Sequence, residues 1–389
     1  MSLAEQQVLK LCFVGRFNRS ELFRGPEKVA RRIAETMATL GHDVFFYEYY
    51  FSGETHGYWM KLFGYECIQR SDRLVVFRIG LFPFMLAMIR RRFHLVHIIT
   101  YERFAIVSFL AKLIHRTPIL FTVHGIVRHQ YATFQRSPAN IIRIKDSICE
   151  FILLKFTDMI YFLSDDYISI ALRYYSIPRN KIVLIANGID DAFSRAERDT
   201  PEPKSIVSIV FIGEPSRIEK GFDYFLRGLE HCSSRASVFV VCENNQYTAL
   251  QLKNGITVTY LRKMATTDYA EFLSDKDIYV GASSCESFSI SAVEAMSSGL
   301  VPIVTRETGM ARFIEHGKNG FLINYGDELD LARCIDLLIT HTALRNELSG
   351  NARLITSTLS WKSIAEEYLR NYKVGETNRT SSRFHGQNY

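Results

Sequence analysis

The sequence predicts an α/β protein made of two doubly wound parallel-sheet domains. In the first half of its 389 residues, short apolar strands alternate with amphipathic helices. A polar stretch with two prolines, residues 191–206, interrupts this pattern, and the alternation then restarts. Alternation of this kind is typical of parallel sheets that are covered by helices on both faces. We therefore predict a first domain over 1–190, a linker over 191–206 and a second domain over 207–360.

The strands of both domains are short and rich in β-branched and aromatic residues. A helix follows the first strand, with Pro26 in its first turn and Gly41 just past its end, as helix boundaries favour. The predicted strands of the first domain are VLKLCFVG, HDVFFYEY, FHLVHIIT, PILFTVHG, DMIYFLSD and KIVLIANG. Those of the second domain are SIVSIVFIGE, SVFVVC, ITVTYL, DIYVGAS and LVPIVT.

The last strong helical pattern, at about 361–373, is followed by a polar tail over 374–389 that we predict to be disordered. In open parallel sheets, ligands bind beyond the carboxyl ends of the strands. Two such domains are expected to face each other across a cleft, with the chemistry in the loops that follow the strands.

Composition and charge fit a globular protein with an anionic partner. Apolar residues make up 47% and charged residues 23% of the chain, and the formal net charge is +6. The charge is uneven, because residues 1–190 are basic and residues 191–389 are slightly acidic. A basic domain attracts phosphorylated ligands, anionic membranes or nucleic acid. Nucleic acid is the weakest of these, because the basic residues are not interleaved with aromatic residues on one evident strand face.

Targeting and membrane signals also favour a cytoplasmic protein. The seven cysteines show no CxxC spacing, which argues against a disulfide framework and fits a reducing compartment. The N-terminus is expected to form a strand rather than a signal peptide. The longest apolar run, 79–89, is about half of the roughly 20 residues that cross a bilayer. FPFMLAMIRRRF could lie on an anionic membrane surface, although a helix that covers the sheet and has a basic end is slightly favoured.

Common cofactor and metal motifs are missing from the chain. The sequence contains no GxGxxG, GxxxxGK[ST], HExxH or GxSxG. His94 and His97 lie on opposite faces of a predicted strand, which argues against a shared metal ion. Asp275 and Asp277 have Asp-x-Asp spacing, but a solvated turn is the favoured interpretation. We predict neither a metal ion nor a cofactor.

Four loops that follow predicted strands carry the candidate site residues. The first places Phe23, Arg24 and Gly25 at a helix N-terminus, where backbone amides can bind a phosphate, although a plain helix start is equally consistent. The second ends in His124, which can donate to a sugar hydroxyl or a leaving oxygen, or can be structural. The third, GEPSRIEKG, contains Arg217 and Lys220, which can neutralise a departing diphosphate.

The fourth loop, SSCESFSISAVEAM, carries the most information. Glu286 precedes a helix on which Glu294 lies, and the amides at Phe288, Ser289 and Ile290 form a second candidate phosphate site. Carboxylates beside such a site suit the hydroxyls of a ribose or a hexose. Ser291-x-x-Glu294 also matches a capping box, but we favour the ligand role for this glutamate.

These segments resemble glycosyltransferase family four, the retaining group with the GT-B fold, also called glycosyl transferases group one. ESFSISAVEAMSSGLVPIV is similar to the E-x7-E signature of the family, and EKGFDYFLRGL is similar to its Lys-Gly segment. IANGID, TGMARFIEHGKNGFLI, FTVHG and the stretch that begins at FRGPEKV resemble further parts of the family pattern. The resemblance covers roughly residues 8–373 and is strongest over 285–325.

The resemblance implies two Rossmann-like domains, a nucleotide-sugar bound mostly by the second domain, a final helix that returns to the first domain, and no metal. Carried over to this sequence, Glu286 would bind the hydroxyls of the donor sugar and Glu294 the ribose. Lys220 would bind the diphosphate, helped by the amides near Ser289 and Ile290. From the first domain, Gly25 would touch the phosphate and His124 would lie by the reacting carbon.

The sequence departs from the family pattern around the expected phosphate site. Glu214 stands where arginine is usual, and Arg217 is a candidate for the missing charge. Ser289 replaces a glycine and Ser291 a proline, while Arg312 stands where glutamate is common. The two signature glutamates and the lysine are present, so we expect an active enzyme.

The expected reaction is the transfer of a hexose from a nucleoside-diphosphate sugar to an acceptor hydroxyl with retention, in cell-surface polysaccharide or glycolipid synthesis. The acceptor would be a glycan or a lipid-linked glycan, and the protein would lie in the cytoplasm or at the inner face of the membrane. The first domain offers no obvious carboxylate nucleophile, which favours a front-face route. The alternatives are a nucleotide-sugar isomerase or epimerase of the same fold and a non-catalytic nucleotide-sugar-binding subunit.

Overall fold

The computed structural model describes residues 7–17, 25–50, 57–133, 140–195, 206–243 and 247–384. The chain divides into two compact units. Unit 1 comprises residues 1–163, 167–185 and 361–389, and unit 2 comprises residues 164–166 and 186–360. The observed boundary at 185/186 lies before the predicted linker. Residues 191–195 of that linker form a helix in unit 2, and residues 196–205 lie outside the described residues.

Unit 1 is built around an eight-stranded sheet in the order β3-β4-β2-β1-β5-β6-β7-β8. Its strands are β1 (Lys10–Val14), β2 (Asp43–Tyr49), β3 (Tyr65–Arg70), β4 (Leu74–Ile79), β5 (Leu95–Ile98), β6 (Ile119–Val123), β7 (Met159–Phe162) and β8 (Ile182–Leu184). All pairs are parallel except β3 with β4, which form an antiparallel edge. This edge pair was not among the predicted strands.

Helices cover both faces of this sheet. They are α1 (Gly25–Thr39), α2 (Tyr58–Phe63), α3 (Leu81–Arg90), α4 (Phe109–His115), α5 (Val127–Thr133), α6 (Asn140–Phe156) and α7 (Asp165–Tyr174). Helix α3 buries Phe84 and Met88. The favoured interpretation of FPFMLAMIRRRF, a helix that covers the sheet, therefore fits the face of α3 that carries these two residues. In the described part of the chain, no helix has the length and apolar character needed to span a membrane.

Unit 2 contains a seven-stranded sheet in the order β11-β12-β10-β9-β13-β14-β15. Its strands are β9 (Val207–Ile212), β10 (Ala236–Cys242), β11 (Leu250–Gln251), β12 (Thr257–Arg262), β13 (Ile278–Gly281), β14 (Val301–Thr305) and β15 (Phe321–Ile323). Only β11 is antiparallel to its neighbour. Its helices are α8 (Asp191–Arg195), α9 (Phe222–Glu230), α10 (Thr266–Ser274), α11 (Ile290–Ser297), α12 (Glu328–Thr340) and α13 (Thr342–Thr356).

The strand order of unit 2 determines where a ligand can bind. From β9 the chain proceeds to β10 and β12 in one direction, and β13 to β15 lie on the other side of β9. The loops that follow β9 and β13 therefore part at a topological switch point, which is the usual ligand site of such sheets. These two loops contain GEPSRIEKG and SSCESFS, so the fold brings the third and fourth predicted site loops together.

The last helix, α14 (Trp361–Phe384), belongs to unit 1, as the prediction of a returning helix requires. The Tyr372 hydroxyl lies 2.8 Å from His97 Nδ1 on β5, and the Tyr368 hydroxyl lies 3.3 Å from Thr122 Oγ1 on β6. The helix continues to Phe384, beyond the predicted boundary at 373, so the expected polar tail is helical up to that residue. Residues 385–389 lie outside the described residues.

Candidate active site

The loop after β9 brings Lys220 to the switch point of unit 2. A 3-10 turn, Ile218–Lys220, is followed by Gly221, which has a φ of +66° and immediately precedes α9. A side chain at this glycine would place its Cβ 2.0 Å from the carbonyl oxygen of Ala282, at the end of β13. Only glycine satisfies both the left-handed backbone and this close approach. The Lys-Gly pair therefore holds the lysine directly beside the loop that follows β13.

Lys220 and Glu286 form a direct ion pair. Lys220 Nζ donates to Glu286 Oε1 at 2.7 Å, and Ser283 Oγ donates to Glu286 Oε2 at 3.1 Å. The Glu286 backbone is also fixed, because its amide donates to the Glu307 carbonyl and its own carbonyl accepts from the Gly309 amide. Hydrogen bonds therefore hold both the carboxylate and the backbone of Glu286 in place.

The electrostatics keep the Glu286 carboxyl ionised. Its burial alone raises the pKa of this group, but the charge and hydrogen bond of Lys220 act in the opposite direction. With the Ser283 hydrogen bond and the charge of Arg217 added, the net pKa lies below the ordinary value. A partly buried anion beside an ammonium group is thus present before any ligand binds.

Arg217 lies in the same loop but is not bonded to Glu286. Its guanidinium contacts Glu219 Oε1 from Nε at 2.8 Å and from its second terminal nitrogen at 2.7 Å. Glu219 is buried, and its carbonyl accepts from the Ser284 amide in the loop after β13. Arg217 therefore belongs to the same pair of loops, and its charge reaches Glu286.

Glu214, which stands where the family pattern has arginine, is turned toward the end of β10. Its carboxylate accepts from the Tyr247 hydroxyl at 2.7 Å and from the Glu243 amide at 3.2 Å. The Tyr247 ring in turn stacks on Tyr260. Glu214 therefore links the loop after β9 to the loop after β10 through two hydrogen bonds.

The fourth loop opens α11 with an unusual backbone conformation. Ser289 is the residue before the helix and has a φ of +77°, a region that disfavours residues other than glycine. The serine that replaces the family glycine therefore keeps the glycine conformation. Phe288 is buried with its ring at the edge of Phe313, while Ile290 is the first helical residue. The first amides of a helix have no acceptor within the helix, so this segment offers donors to an anion.

Tyr279 on β13 is a site residue that sequence reasoning missed. Its hydroxyl lies 3.0 Å from Ser291 Oγ and 3.4 Å from Ser289 Oγ, beneath the start of α11. Burial raises its pKa, and the charges of Glu286 and Glu294 add to this effect. The tyrosine is thus a neutral hydroxyl close to both signature glutamates. Its position in the alternating strand IYVG gave no signal of this role, because core tyrosines show the same pattern.

Glu294 is buried within α11 and does not cap the helix. The helix begins at Ile290, which makes Ser291 a helical residue rather than the residue before the helix, and no side chain caps this N-terminus. The capping-box interpretation is therefore wrong. The charge of Glu294 also raises the pKa of the buried Tyr269 on α10.

The remaining predicted residues, Gly25 and His124, lie in unit 1. Gly25 is the first residue of α1, and Phe23 and Arg24 lie outside the described residues. His124 follows β6 and is half-buried, and its Nε2 has no hydrogen-bond partner among the described residues. Burial lowers the pKa of His124 to about 4, although a hydrogen bond with the Ile99 backbone partly opposes this. The imidazole is therefore neutral at physiological pH, with one nitrogen engaged and the other available.

The candidate metal ligands are occupied by protein partners. Asp277 Oδ2 accepts from the Ser208 amide at 2.9 Å and the Ser208 hydroxyl at 2.7 Å, while Asp275 pairs with Lys276. His94 Nδ1 accepts from the Lys10 amide. In the described ranges, no group of three or more His, Cys, Asp or Glu residues is placed to hold a metal ion. The absence of a metal from the reaction stays a prediction.

Two family models match the chain and decide its classification. The model described as Glycosyltransferase Family 4 matches residues 23–193, and the model described as Glycosyl transferases group 1 matches residues 207–341. The chain belongs to glycosyltransferase family 4. The second match includes all of the unit 2 residues described above, from Glu214 to Glu294.

The curated relatives that match the chain are distant in sequence. The chain is 24% identical over 203 residues to the phosphatidyl-myo-inositol mannosyltransferase of Mycobacterium leprae, an alignment that covers 50% of this chain and 54% of the relative. The chain thus spans about half the length of the curated relatives that it matches.

Solved structures establish the fold over more than nine-tenths of the chain. Sucrose-phosphate synthase from Thermosynechococcus elongatus aligns with a TM-score of 0.72 at 17% identity, covering 93% of this chain and 98% of that one. Anabaena HepE, solved in complex with UDP-glucose, aligns with a TM-score of 0.70 at 16% identity, covering 94% and 100%. These proteins have the GT-B fold, which the family 4 chain described here shares.

Proposed function

We propose that the protein is a retaining glycosyltransferase that moves a hexose from a nucleoside-diphosphate sugar to the hydroxyl of a glycan or lipid-linked glycan. The observation that carries this proposal is the ion pair of Lys220 and Glu286, 2.7 Å long, beside the left-handed Ser289 that opens α11. Membership of family 4 and the UDP-glucose complex of HepE support a nucleotide-sugar as the donor.

Lys220 and Glu286 have bonding capacity left for such a donor. An ammonium group has three N–H donors, and Lys220 uses one of them on Glu286. The other two are available to phosphate oxygens, whose negative charge grows as the diphosphate leaves. Each oxygen of the Glu286 carboxylate accepts one hydrogen bond in this structure and has a second lone pair for a sugar hydroxyl.

The start of α11 is proposed to bind the phosphates, and Glu294 the ribose. The amides near Ser289 and Ile290 lie at the positive end of the helix dipole, which favours an anion. Tyr279, which touches the Ser289 and Ser291 hydroxyls, would position this segment rather than contact the donor.

His124 is proposed to accept a hydrogen bond from a sugar hydroxyl through Nε2. Since the imidazole is neutral and bonded to the Ile99 backbone, Nε2 is suited to accept. From the sequence, a donor role and a structural role were both open for this histidine. The proposed chemistry takes place on one face of the sugar. The bond from the anomeric carbon to the leaving phosphate breaks and an oxocarbenium-like carbon develops. The acceptor oxygen bonds to that carbon on the same face, and the departing phosphate oxygen takes the proton of the acceptor hydroxyl. The protein supplies positioning and charge stabilisation.

The proposal is tested by following donor turnover. The protein is mixed with UDP-, GDP- and ADP-hexoses, and free nucleotide is measured with and without glycan and lipid-linked acceptors. A transferase releases nucleotide in an acceptor-dependent manner and forms a product whose anomeric configuration matches that of the donor. Epimerisation of the donor without an acceptor would contradict transfer, as would donor binding without any turnover.

A matched pair of variants assigns the activity to the proposed site. Glu286→Gln removes the carboxylate charge while preserving its shape, and we expect a rate loss of about a hundredfold or more. Glu315→Gln alters an exposed ion pair with Lys318, also 2.7 Å long and also in unit 2, and is expected to leave turnover unchanged. Equal rates in both variants would remove Glu286 from the mechanism.

A further inference from the structure

Most of the large apolar side chains that are exposed among the described residues lie on four helices of unit 1, namely α2, α3, α4 and α6. In unit 2 such side chains are few and scattered. Soluble proteins rarely expose contiguous apolar patches of more than a few hundred square ångströms unless the patch binds something. The outward surface of these four helices, which we call the helical face, therefore requires an explanation.

The four helices lie side by side on one face of the sheet. Helices α3, α4 and α6 connect strands that advance in the same direction, from β4 to β5, β6 and β7. Right-handed crossovers place such helices on the same side. Helix α2 joins the layer through the ring of Phe63, which stacks on Phe82 of α3 with centroids 4.9 Å apart. The apolar residues therefore share one surface.

Contacts between neighbouring helices make this surface continuous. His115 Nε2, at the end of α4, lies 2.7 Å from the Ile89 carbonyl oxygen at the end of α3. Phe109, at the start of α4, meets the ring of Phe156, at the end of α6. Each apolar segment of the helical face is thus linked to the next one.

Each helix buries one side and exposes an apolar opposite side. On α3, Phe84 and Met88 are buried, while Phe82, Leu86 and Ile89 are exposed. On α6, the residues Ile141, Ile144, Ile148 and Phe151 recur at spacings of three and four and are all exposed. An apolar stripe on the solvent side of a helix is not needed to hold the domain together.

Charge on the helical face is mostly positive, although one of its cations, Lys112, is paired with Asp158 at 3.1 Å. The only carboxylates on the four helices are Asp146 and Glu150 of α6, and both are buried. Asp146 bonds to Arg103 and Tyr131, and Glu150 accepts from the Val127 amide at the start of α5. The basic residues of the four helices are Lys61, Arg90, Lys112, Arg143, Lys145 and Lys155.

The aromatic residues of α2 resemble those found at membrane interfaces. Tyr58 and Trp59 are both 72% exposed, and the Trp59 ring stacks on Phe63. Tryptophan and tyrosine combine an apolar ring with a polar tip, which suits the boundary between lipid tails and head groups. Basic residues beside an apolar helix surface favour anionic lipids.

We propose that the helical face binds the surface of an anionic phospholipid bilayer, with its apolar side chains at the head-group boundary and its basic side chains on the lipid phosphates. A second copy of the chain fits less well, because two copies of the face would bring its unbalanced positive charge together. This inference does not depend on the proposed transferase activity, since binding is measured without donor or acceptor.

The full chain is tested with vesicles of equal parts phosphatidylglycerol and phosphatidylcholine, and with vesicles of phosphatidylcholine alone. We expect the protein to sediment with the anionic vesicles at low salt, and to be released at high salt. Trp361→Phe leaves Trp59 as the sole tryptophan, and its emission is expected to shift to the blue on binding. No sedimentation with anionic vesicles at low salt, or equal binding to both vesicle types, would overturn the proposal.

Variants then locate the binding surface. Leu86→Glu and Ile144→Glu change exposed residues of two different helices and are each expected to lower the partition coefficient about tenfold or more. Leu354→Glu, at a residue of unit 2 that is 69% exposed, is the control and is expected to have no effect. Arg90→Ala and Lys145→Ala are each expected to lower partition about fivefold, and Lys253→Ala on unit 2 not at all.

Circular dichroism and thermal unfolding establish that each variant is folded, which the exposure of these positions favours. The proposal is wrong if variants of the helical face bind vesicles as tightly as the Leu354→Glu control does. It is also wrong if sedimentation velocity detects a dimer that Leu86→Glu and Ile144→Glu dissociate while vesicle binding is unchanged.

Discussion

Glu286 of unit 2 and two buried histidines of unit 1 show opposite effects of burial on an ionisable group. In unit 2, Glu286 is kept as an anion because Lys220 contacts it and lowers the pKa of its carboxyl against the effect of burial. In unit 1, burial lowers the pKa of His97 to about 3 and that of His124 to about 4, so both imidazoles are neutral. Pairing therefore preserves a charge that can act on a ligand, whereas burial without a counter-charge removes one.

The largest expected effect comes from removing the partner of Glu286. Lys220→Met deletes the ammonium while retaining an apolar stem of similar length, and we expect turnover to fall about a hundred- to a thousandfold. The pKa of the Glu286 carboxyl should rise, because burial then acts without the opposing charge. The measurement is the pH dependence of kcat/KM, in which the acid limb should move to higher pH. An unchanged acid limb would contradict the role of the pair.

Substitutions of Arg217 test whether this residue supplies the positive charge that the family pattern places at position 214, where this chain has glutamate. If it does, Arg217→Ala should lower kcat about a hundredfold, because one cation at the departing diphosphate is lost. Arg217→Lys, which keeps the charge, should retain most of the rate. Since Arg217 pairs with Glu219 in this structure, an unaltered kcat in the alanine variant would mean that the arginine only holds the loop.

The sequence predicted the parts of this site that depend on chain order and local pattern. Strand and helix alternation predicted both sheets, and the rule that ligands bind after strands identified GEPSRIEKG and SSCESFS as site loops. The strand order was not predicted from the sequence, and it is the structure that brings the loops after β9 and β13 together at one edge of the sheet. The features that were predicted are local in sequence or follow from general rules of topology.

Side-chain partnerships across the fold were not predictable in this way. The contact of Tyr279 with Ser289 and Ser291 joins a strand to the helix start that follows it, and nothing in IYVG distinguishes this tyrosine from a core residue. The length of α14 was underestimated because its last turns are polar and have no amphipathic pattern. Sequence periodicity reports burial, whereas these features depend on which groups meet after folding.

The neutral histidines of unit 1 predict a specific loss of stability in acid. In the unfolded chain each histidine has an ordinary pKa near 6.5, so between about pH 6.5 and pH 4 the unfolded state binds more protons than the folded state. The contribution of these neutral histidines to the free energy of unfolding is fully present above pH 6.5. It falls as the pH is lowered through this window. At pH 5 each histidine should lower the free energy of unfolding by about 2 kcal/mol relative to neutral pH.

This effect is measured by hydrogen exchange of peptides from each unit at pH 7.5 and pH 5. Amides of β5 and β6 in unit 1 should lose protection, after correction for intrinsic exchange rates, while those of β9 and β13 in unit 2 should lose less. Equal losses in the two units would show that the contrast between paired and buried groups does not govern their acid stability.

The smallest expected effect concerns the backbone of Ser289, where unit 2 carries local strain at the proposed phosphate site. Because its φ is +77°, Ser289→Ala loses the hydroxyl and keeps the unfavourable conformation, whereas Ser289→Gly loses the hydroxyl and relieves it. We expect the glycine variant to be more stable than the alanine variant by about 1 kcal/mol in chemical unfolding. Both variants lack the contacts with Tyr279 and Ser291, so their difference isolates the backbone term. An alanine variant as stable as the glycine variant would mean that the left-handed conformation is not maintained in solution. We also expect donor affinity to depend on the backbone conformation of residue 289 and not on the serine hydroxyl. The reason is that this conformation aims the amides at the phosphate.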